Sequence, residues 1–408
     1  MQGKSVARGS AALLLASAVV VLPLAPAVAQ ETRASVDVSA GVAYATNPFL
    51  IRGGGDGSAS TELAITPQVS FVDERNTASL VARYRRSDYL TRYSPAEAYG
   101  FSALARRAMS SRLNLRADLS YDSSIIGQGG LGIVGVVDPT VAPSPVLGTP
   151  DITLIGLNQR QSSISSSIGG DYRLSTRDTI TAQASINRVS YGGGSNNGLL
   201  LSSRTTGATV GYSRSLSERL SVGAQGSGTW IDYDNPGYSG HTYSPQATVN
   251  YQLSQNVTLS GGAGLIFVSS TTPRGTVNAT GFSGNFNGCR TAGRSIQCLR
   301  GYSDAQPTGL GDVSRRMGAA ADYSYQLREF DVVRASIEYS RLTSTSNTTL
   351  QAPRTDFLSG QASYERSFTR RVFAGASVGY RQANGRGFGS PSDVTFRLFL
   401  RTRLGDIR

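Results

Sequence analysis

The stretch Leu113-Asn114-Leu115-Arg116-Ala117-Asp118-Leu119-Ser120-Tyr121 alternates without a break. Successive side chains of an extended strand point to opposite faces, so Leu113, Leu115, Ala117, Leu119 and Tyr121 share one face, and Asn114, Arg116, Asp118 and Ser120 the other. The same two-faced pattern recurs along the chain. Its apolar faces include Val36, Val38, Ala40, Val42 and Tyr44; Leu220, Val222, Ala224 and Trp230; Val333, Ala335, Ile337 and Tyr339; and Val372, Ala374, Ala376, Val378 and Tyr380.

Short breaks separate these runs at 73–76, 108–111, 175–178, 215–219, 254–256, 328–331 and 368–371. Longer ones alternate with them at 48–60, 90–96, 124–158, 192–200, 235–242, 269–312, 343–355 and 384–392. The rhythm predicts an all-β fold: a transmembrane antiparallel up-and-down β-barrel of about sixteen strands, with short periplasmic turns, long extracellular loops and both termini periplasmic. Soluble β-sandwiches also alternate, but they seldom supply so many strands with a regular short-long spacing. An aromatic closes most runs at the end that meets a long break, which marks Tyr44, Tyr84, Tyr121, Trp230, Phe267, Tyr339 and Tyr380 as anchors at the outer membrane interface. Tyr172, Tyr212, Tyr251, Tyr323 and Tyr325 approach the short turns and supply a second girdle.

The N-terminus carries Lys4 and Arg8, an apolar run from Ala11 to Leu24, and then Ala27-Val28-Ala29 before Gln30. That is the layout of a cleaved signal peptide over 1–29, leaving the barrel to residues 30–408 and placing it in the outer membrane of a Gram-negative cell. Losing Lys4 and Arg8 takes the formal charge from +12 to +10. Every remaining cation is an arginine, whose planar fork grips carboxylate or phosphate in a way lysine cannot. A high-GC genome also favours arginine codons. In an exported chain the basic balance points to anionic solutes, lipopolysaccharide or acidic polymers, not to nucleic acid.

Polar-face parity places Arg83, Arg85, Arg106, Arg116, Arg173, Arg316, Arg334, Arg381, Arg397, Arg401 and Arg403 in the lumen, with Asp37, Asp118, Asp171, Asp322 and Glu338. They either brace the wall as ion pairs or leave a positive field that favours anions through an aqueous channel. The last strand, 394–404, carries Arg397, Arg401 and Arg403, and Arg83 and Arg85 join it only if closure brings the first strands beside the last.

The chemistry of enzymes is sparse. The only cysteines, Cys289 and Cys298, lie within the presumed loop 269–312, where an oxidising compartment favours a disulfide over a metal or catalytic pair. His241 is the only histidine and stands in a loop without a Gly-x-Ser-x-Gly elbow, so a solvated residue is favoured over a general base. Gly127-Gln128-Gly129-Gly130-Leu131-Gly132 has the spacing of a dinucleotide fingerprint, but no helical pattern follows it. The chain is therefore expected not to be an enzyme and to need no cofactor or metal.

Gly41-Val42-Ala43-Tyr44-Ala45-Thr46-Asn47-Pro48-Phe49-Leu50, a Gly/Asp/Ser-rich loop, and Leu63-Ala64-Ile65-Thr66-Pro67-Gln68-Val69 resemble the first hairpin of the β-barrel porins of the second type. That resemblance implies an outer-membrane barrel, often found beside surface-polysaccharide or exopolysaccharide systems, and no catalytic residues. Expected partners are outer-membrane lipid, lipopolysaccharide and the barrel assembly machinery, with anionic solutes or polysaccharide and periplasmic export components. The chain departs from many outer-membrane proteins in ending on Gly405-Asp406-Ile407-Arg408 and not on a phenylalanine. One alternative is a closed barrel whose loops 124–158 and 269–312 bind a partner or plug the lumen, the second stiffened by the disulfide; a further one, less favoured, is an enzyme at the outer leaflet that uses His241.

Overall fold

The computed structural model describes residues 31–128, 151–192, 200–345, 354–385 and 389–405. The leader segment 1–29, and Gly129 to Gly132 of the glycine-rich motif, lie outside these residues. Eighteen strands form one antiparallel sheet: β1 (Glu31–Ala45), β2 (Ser58–Val72), β3 (Asn76–Tyr89), β4 (Ala96–Ala108), β5 (Leu113–Ile125), β6 (Arg160–Arg173), β7 (Asp178–Gly192), β8 (Ser203–Ser215), β9 (Leu220–Tyr233), β10 (Ser239–Ser254), β11 (Val257–Thr272), β12 (Gly275–Ala292), β13 (Ser295–Pro307), β14 (Val313–Arg328), β15 (Asp331–Ser344), β16 (Arg354–Ser367), β17 (Val372–Gly385) and β18 (Ser392–Gly405). Each pairs with its sequence neighbours. β1 also pairs with β18 from Ser35↔Gly405 to Ala45↔Thr395, so the sheet closes into a barrel without an edge. Because the strand number is even, β1 begins and β18 ends at the same rim, the one that carries the short turns.

The strands form because main-chain ladders satisfy every neighbour while side chains sort by parity. Large apolar side chains stay exposed on the outside: Val42 on β1, Ile168 on β6, Val210 on β8, Trp230 on β9, Leu265 on β11, Ile337 on β15 and Leu398 on β18. A soluble protein rarely leaves so large a contiguous apolar surface in water. Aromatics band its upper part, with Tyr99 and Phe101 of β4 against Tyr121 of β5 and Tyr243 of β10 stacked on Phe267 of β11. No helix among the described residues is long and apolar enough to cross a membrane.

The barrel has eighteen strands where the breaks predict about sixteen, and the difference lies in 269–312. This segment is no long loop. β11 runs on to Thr272, β12 and β13 follow, and the joins at 273–274 and 293–294 are tight turns. Gly293 sits at φ +53° in the second of these, where a side chain would be strained. Gly, Asn and Thr dilute the apolar alternation of β12 until it reads as a loop. Pairing with β11 through sixteen consecutive residue pairs makes it a strand regardless. The disulfide moves with it: Cys289 and Cys298 are directly opposed on β12 and β13 and are bonded across the wall near the short-turn rim, not in an outer loop.

Candidate functional site

Closure brings β15 to β18 beside β1, β2 and β3, and the inner faces of these strands carry a charged stripe made of two clusters. Arg403 reaches both carboxylate oxygens of Asp37 at 2.8 and 2.9 Å. Arg401, only 1% exposed, bridges Asp37 at 3.1 Å and Glu365 at 2.9 Å, and its guanidinium lies 4.2 Å above the Phe373 ring. Arg334 stands 3.9 Å from the same Glu365. Glu62 is shared by Arg85 at 2.7 Å and Arg397 at 2.5 Å. In this stripe five arginines lie on three carboxylates, and the surplus is positive. A shared carboxylate offsets one charge while fixing two side chains.

The other predicted arginines are dispersed. Arg83 on β3 is within Coulomb range of Asp122, and Arg116 on β5 donates to the neutral Gln183 at 2.7 Å. Arg316 pairs with Asp304 at 2.8 Å and lies over the Tyr302 ring. Arg106 and Arg173 sit near the short-turn ends of β4 and β6. Asp322 is taken by Arg300, an arginine absent from the sequence-based lining because its strand was read as loop. Glu62 and Glu365 were also missed, although the parity of β2 and β16 would have placed both inside.

Arg381 on β17 has a different task. It pairs with Asp393 at 2.6 Å and donates to the main-chain oxygens of Gly127 at 2.7 Å and Pro48 at 3.3 Å. These belong to the β5–β6 and β1–β2 connections, so one side chain on the wall holds two loops that fold into the mouth. Leu154 and Ile155, in and after a 3₁₀ turn at Ile152–Leu154, are buried against Leu50, Ile126, Leu342 of β15 and Ala383 of β17. β5 and β6 stand on the opposite side of the ring from β15 to β17, so this loop spans the lumen. Asp151 caps the turn by accepting from the Thr153 amide at 3.0 Å, and accepts from the Gly309 amide of the β13–β14 connection at 2.7 Å. Its carboxyl is pushed above the ordinary range by burial, and nearby Asp312 adds to the effect against those hydrogen bonds. The signal for an inward loop was legible: Ile152, Leu154 and Ile155 form an apolar run that water would not hold exposed.

The predicted interface aromatics Tyr44, Trp230, Phe267, Tyr339 and Tyr380 are exposed on the outer face. Tyr84 donates to Glu97 there, and Tyr121 lies against Phe101. His241 is exposed opposite Trp230 in the β9–β10 register, on the outer wall and away from the charged stripe. Among the described residues no group of three His, Cys, Asp or Glu side chains is placed to hold a metal.

No family model matches the chain, and no curated protein matches it. Solved structures do. The FrpB iron transporter from Neisseria meningitidis (F3-3 variant) is similar at 10% identity over 86% of this chain and 62% of its own, with a TM-score of 0.44. The chain thus spans less than two thirds of that transporter. Pseudomonas aeruginosa OpdQ is similar at 10% identity over 92% of this chain and 98% of its own, TM-score 0.44. OprD of the same organism is similar at 10% identity over 91% and 95%, TM-score 0.41. Likeness at this level says nothing of what this chain carries.

Proposed function

We propose that this chain is an outer-membrane channel whose lumen favours anions, with its short turns and both termini in the periplasm. The apolar, aromatic-banded outer wall supports the membrane setting, since a closed barrel is one of the two structures that satisfy every main-chain group in hydrocarbon. Eighteen strands enclose a lumen wide enough for water and solutes. The observation that carries the preference is the inner stripe in which Arg85, Arg334, Arg397, Arg401 and Arg403 outnumber Asp37, Glu62 and Glu365. A surplus of fixed positive charge on a low-dielectric wall concentrates anions along it. The solutes proposed are carboxylated or phosphorylated, acidic sugars of surface polysaccharide among them.

The test is the reversal potential of purified barrel in a planar bilayer under a potassium chloride gradient. Wild type should select chloride, and Arg116→Gln with Arg334→Gln should move the reversal potential toward zero, because Arg116 donates to the neutral Gln183 and Arg334 stands 3.9 Å from a Glu365 that Arg401 already offsets. A cation-selective or silent barrel would overturn the reading. A second reading, a barrel closed at rest, is favoured by the buried contacts of Leu154 and Ile155 across the mouth.

A further inference from the structure

Above the pair Gly284↔Ser303 the wall forks. β12 continues through 275–283 paired with β11 alone, while β13 continues from Asp304 to Pro307 paired with β14 alone. At the fork the Ser303 hydroxyl donates to the Phe282 carbonyl at 2.8 Å. Beyond it the top of the β13–β14 hairpin leans into the lumen. Val313, with no exposed surface, packs with Ile231 and Tyr233 of β9 and Ile266 and Val268 of β11, and Ala305 lies against the same layer. In the sheet order β14 stands three strands from β11 and five from β9, so these contacts require the hairpin to overlap the inner face of the wall. Two glycines accommodate it: a Cβ on Gly240 would meet Val313 Cγ2 at 2.5 Å, and one on Gly281 would meet the Arg315 guanidinium at 2.8 Å.

We propose that the upper β13–β14 hairpin, together with the top of β15 to which β14 stays paired as far as Ser314↔Ser344, is a gate that parts from β12 above Gly284↔Ser303 and closes the outer mouth by folding inward. This rests on the channel reading. Two arrangements compete. Inward, the hairpin packs Val313 and part of Ala305 against the apolar layer of β9 and β11, and its tip is latched: the Gly309 amide donates to Asp151 at 2.7 Å and the Tyr233 hydroxyl to the Asp312 carbonyl at 2.6 Å. Outward, 304–307 regain ladder partners on β12, and the mouth loses the segment against which Leu154 packs, since a Cβ on Gly309 would meet Leu154 Cδ1 at 2.8 Å. A packed layer traded for main-chain hydrogen bonds gives two discrete states with no stable intermediate position.

The test combines a lock and a wedge in the full-length barrel. Gly240→Cys with Val313→Cys places two sulfurs where the hairpin meets the wall; oxidised, this variant should lose its bilayer openings and regain them on reduction, with reduced wild type as the control for the native disulfide. Gly240→Val should displace the hairpin, raising open time and the rate at which a membrane-impermeant maleimide labels Val313→Cys. An oxidised lock that conducts like wild type, or a wedge that leaves labelling unchanged, overturns the gate. If labelling quickens while no variant conducts, the hairpin moves but the channel reading falls.

Discussion

Arg401→Met removes the most deeply buried cation of the wall while keeping an unbranched side chain against Phe373. The two carboxylates it bridges lose unequally. Asp37 retains both hydrogen bonds from Arg403, whereas Glu365, itself buried, is left with Arg334 at 3.9 Å. Breaking a buried pair costs about 3–5 kcal/mol because the survivor stays charged and dehydrated, and the retained Arg334 places this case near the lower end, about 3 kcal/mol. Losing the guanidinium over the Phe373 ring adds about 1 kcal/mol. Adding Glu365→Gln removes the stranded charge, so the double variant should lie within about 1–2 kcal/mol of wild type, about 2–3 kcal/mol less destabilised than Arg401→Met alone, with the Glu365→Gln single variant closing the cycle. The assay is urea unfolding from lipid vesicles, with Trp230, the only tryptophan, as the reporter and the slope held in common. If Arg401→Met costs less than about 1 kcal/mol, or the two substitutions simply add, the stripe is not a coupled network.

Three further outcomes follow from the mouth, the wall and the lumen. Because burial raises the folded-state pKa of Asp151, its contribution to stability is complete below the unfolded value of about 3.9 and is lost as pH rises through the folded value. Thermal midpoints from pH 4 upward should fall less for Asp151→Asn than for wild type, and identical slopes would contradict this. Reducing Cys289–Cys298, nine residues apart, should cost at most about 3 kcal/mol, since a short closed loop restricts the unfolded chain little; a larger shift in the urea midpoint would count against a purely local brace. Arg381→Gln should free the loops at Pro48 and Gly127, seen as faster protease cleavage at the outer mouth of the intact barrel, and unchanged cleavage would show that the apolar contacts alone hold them.

How much of this was legible depends on the range of the interaction. Period-2 alternation is a property of each strand alone, so the faces of β5, β9, β15, β17 and β18 could be read residue by residue, and the lumen parity of Arg397 and Arg401 with them. Where alternation is diluted by glycine and asparagine, as in β12, the strand exists because a neighbour supplies its hydrogen bonds, and Arg300 and the disulfide were misplaced with it.

The sequence by itself determined a two-faced, closed, antiparallel barrel with both ends at the short-turn rim, because side-chain period and turn length are local. Only the tertiary structure decided that β18 lies against β1, turning scattered arginines into two shared clusters, one on Glu62 and one on Asp37 and Glu365. It also decided that the top of the β13–β14 hairpin parts from β12 and leans into the mouth while β14 stays paired with β15. Both depend on contacts between residues far apart in the chain, where the balance of buried charge, apolar packing and main-chain pairing is set by neighbours that no local pattern names.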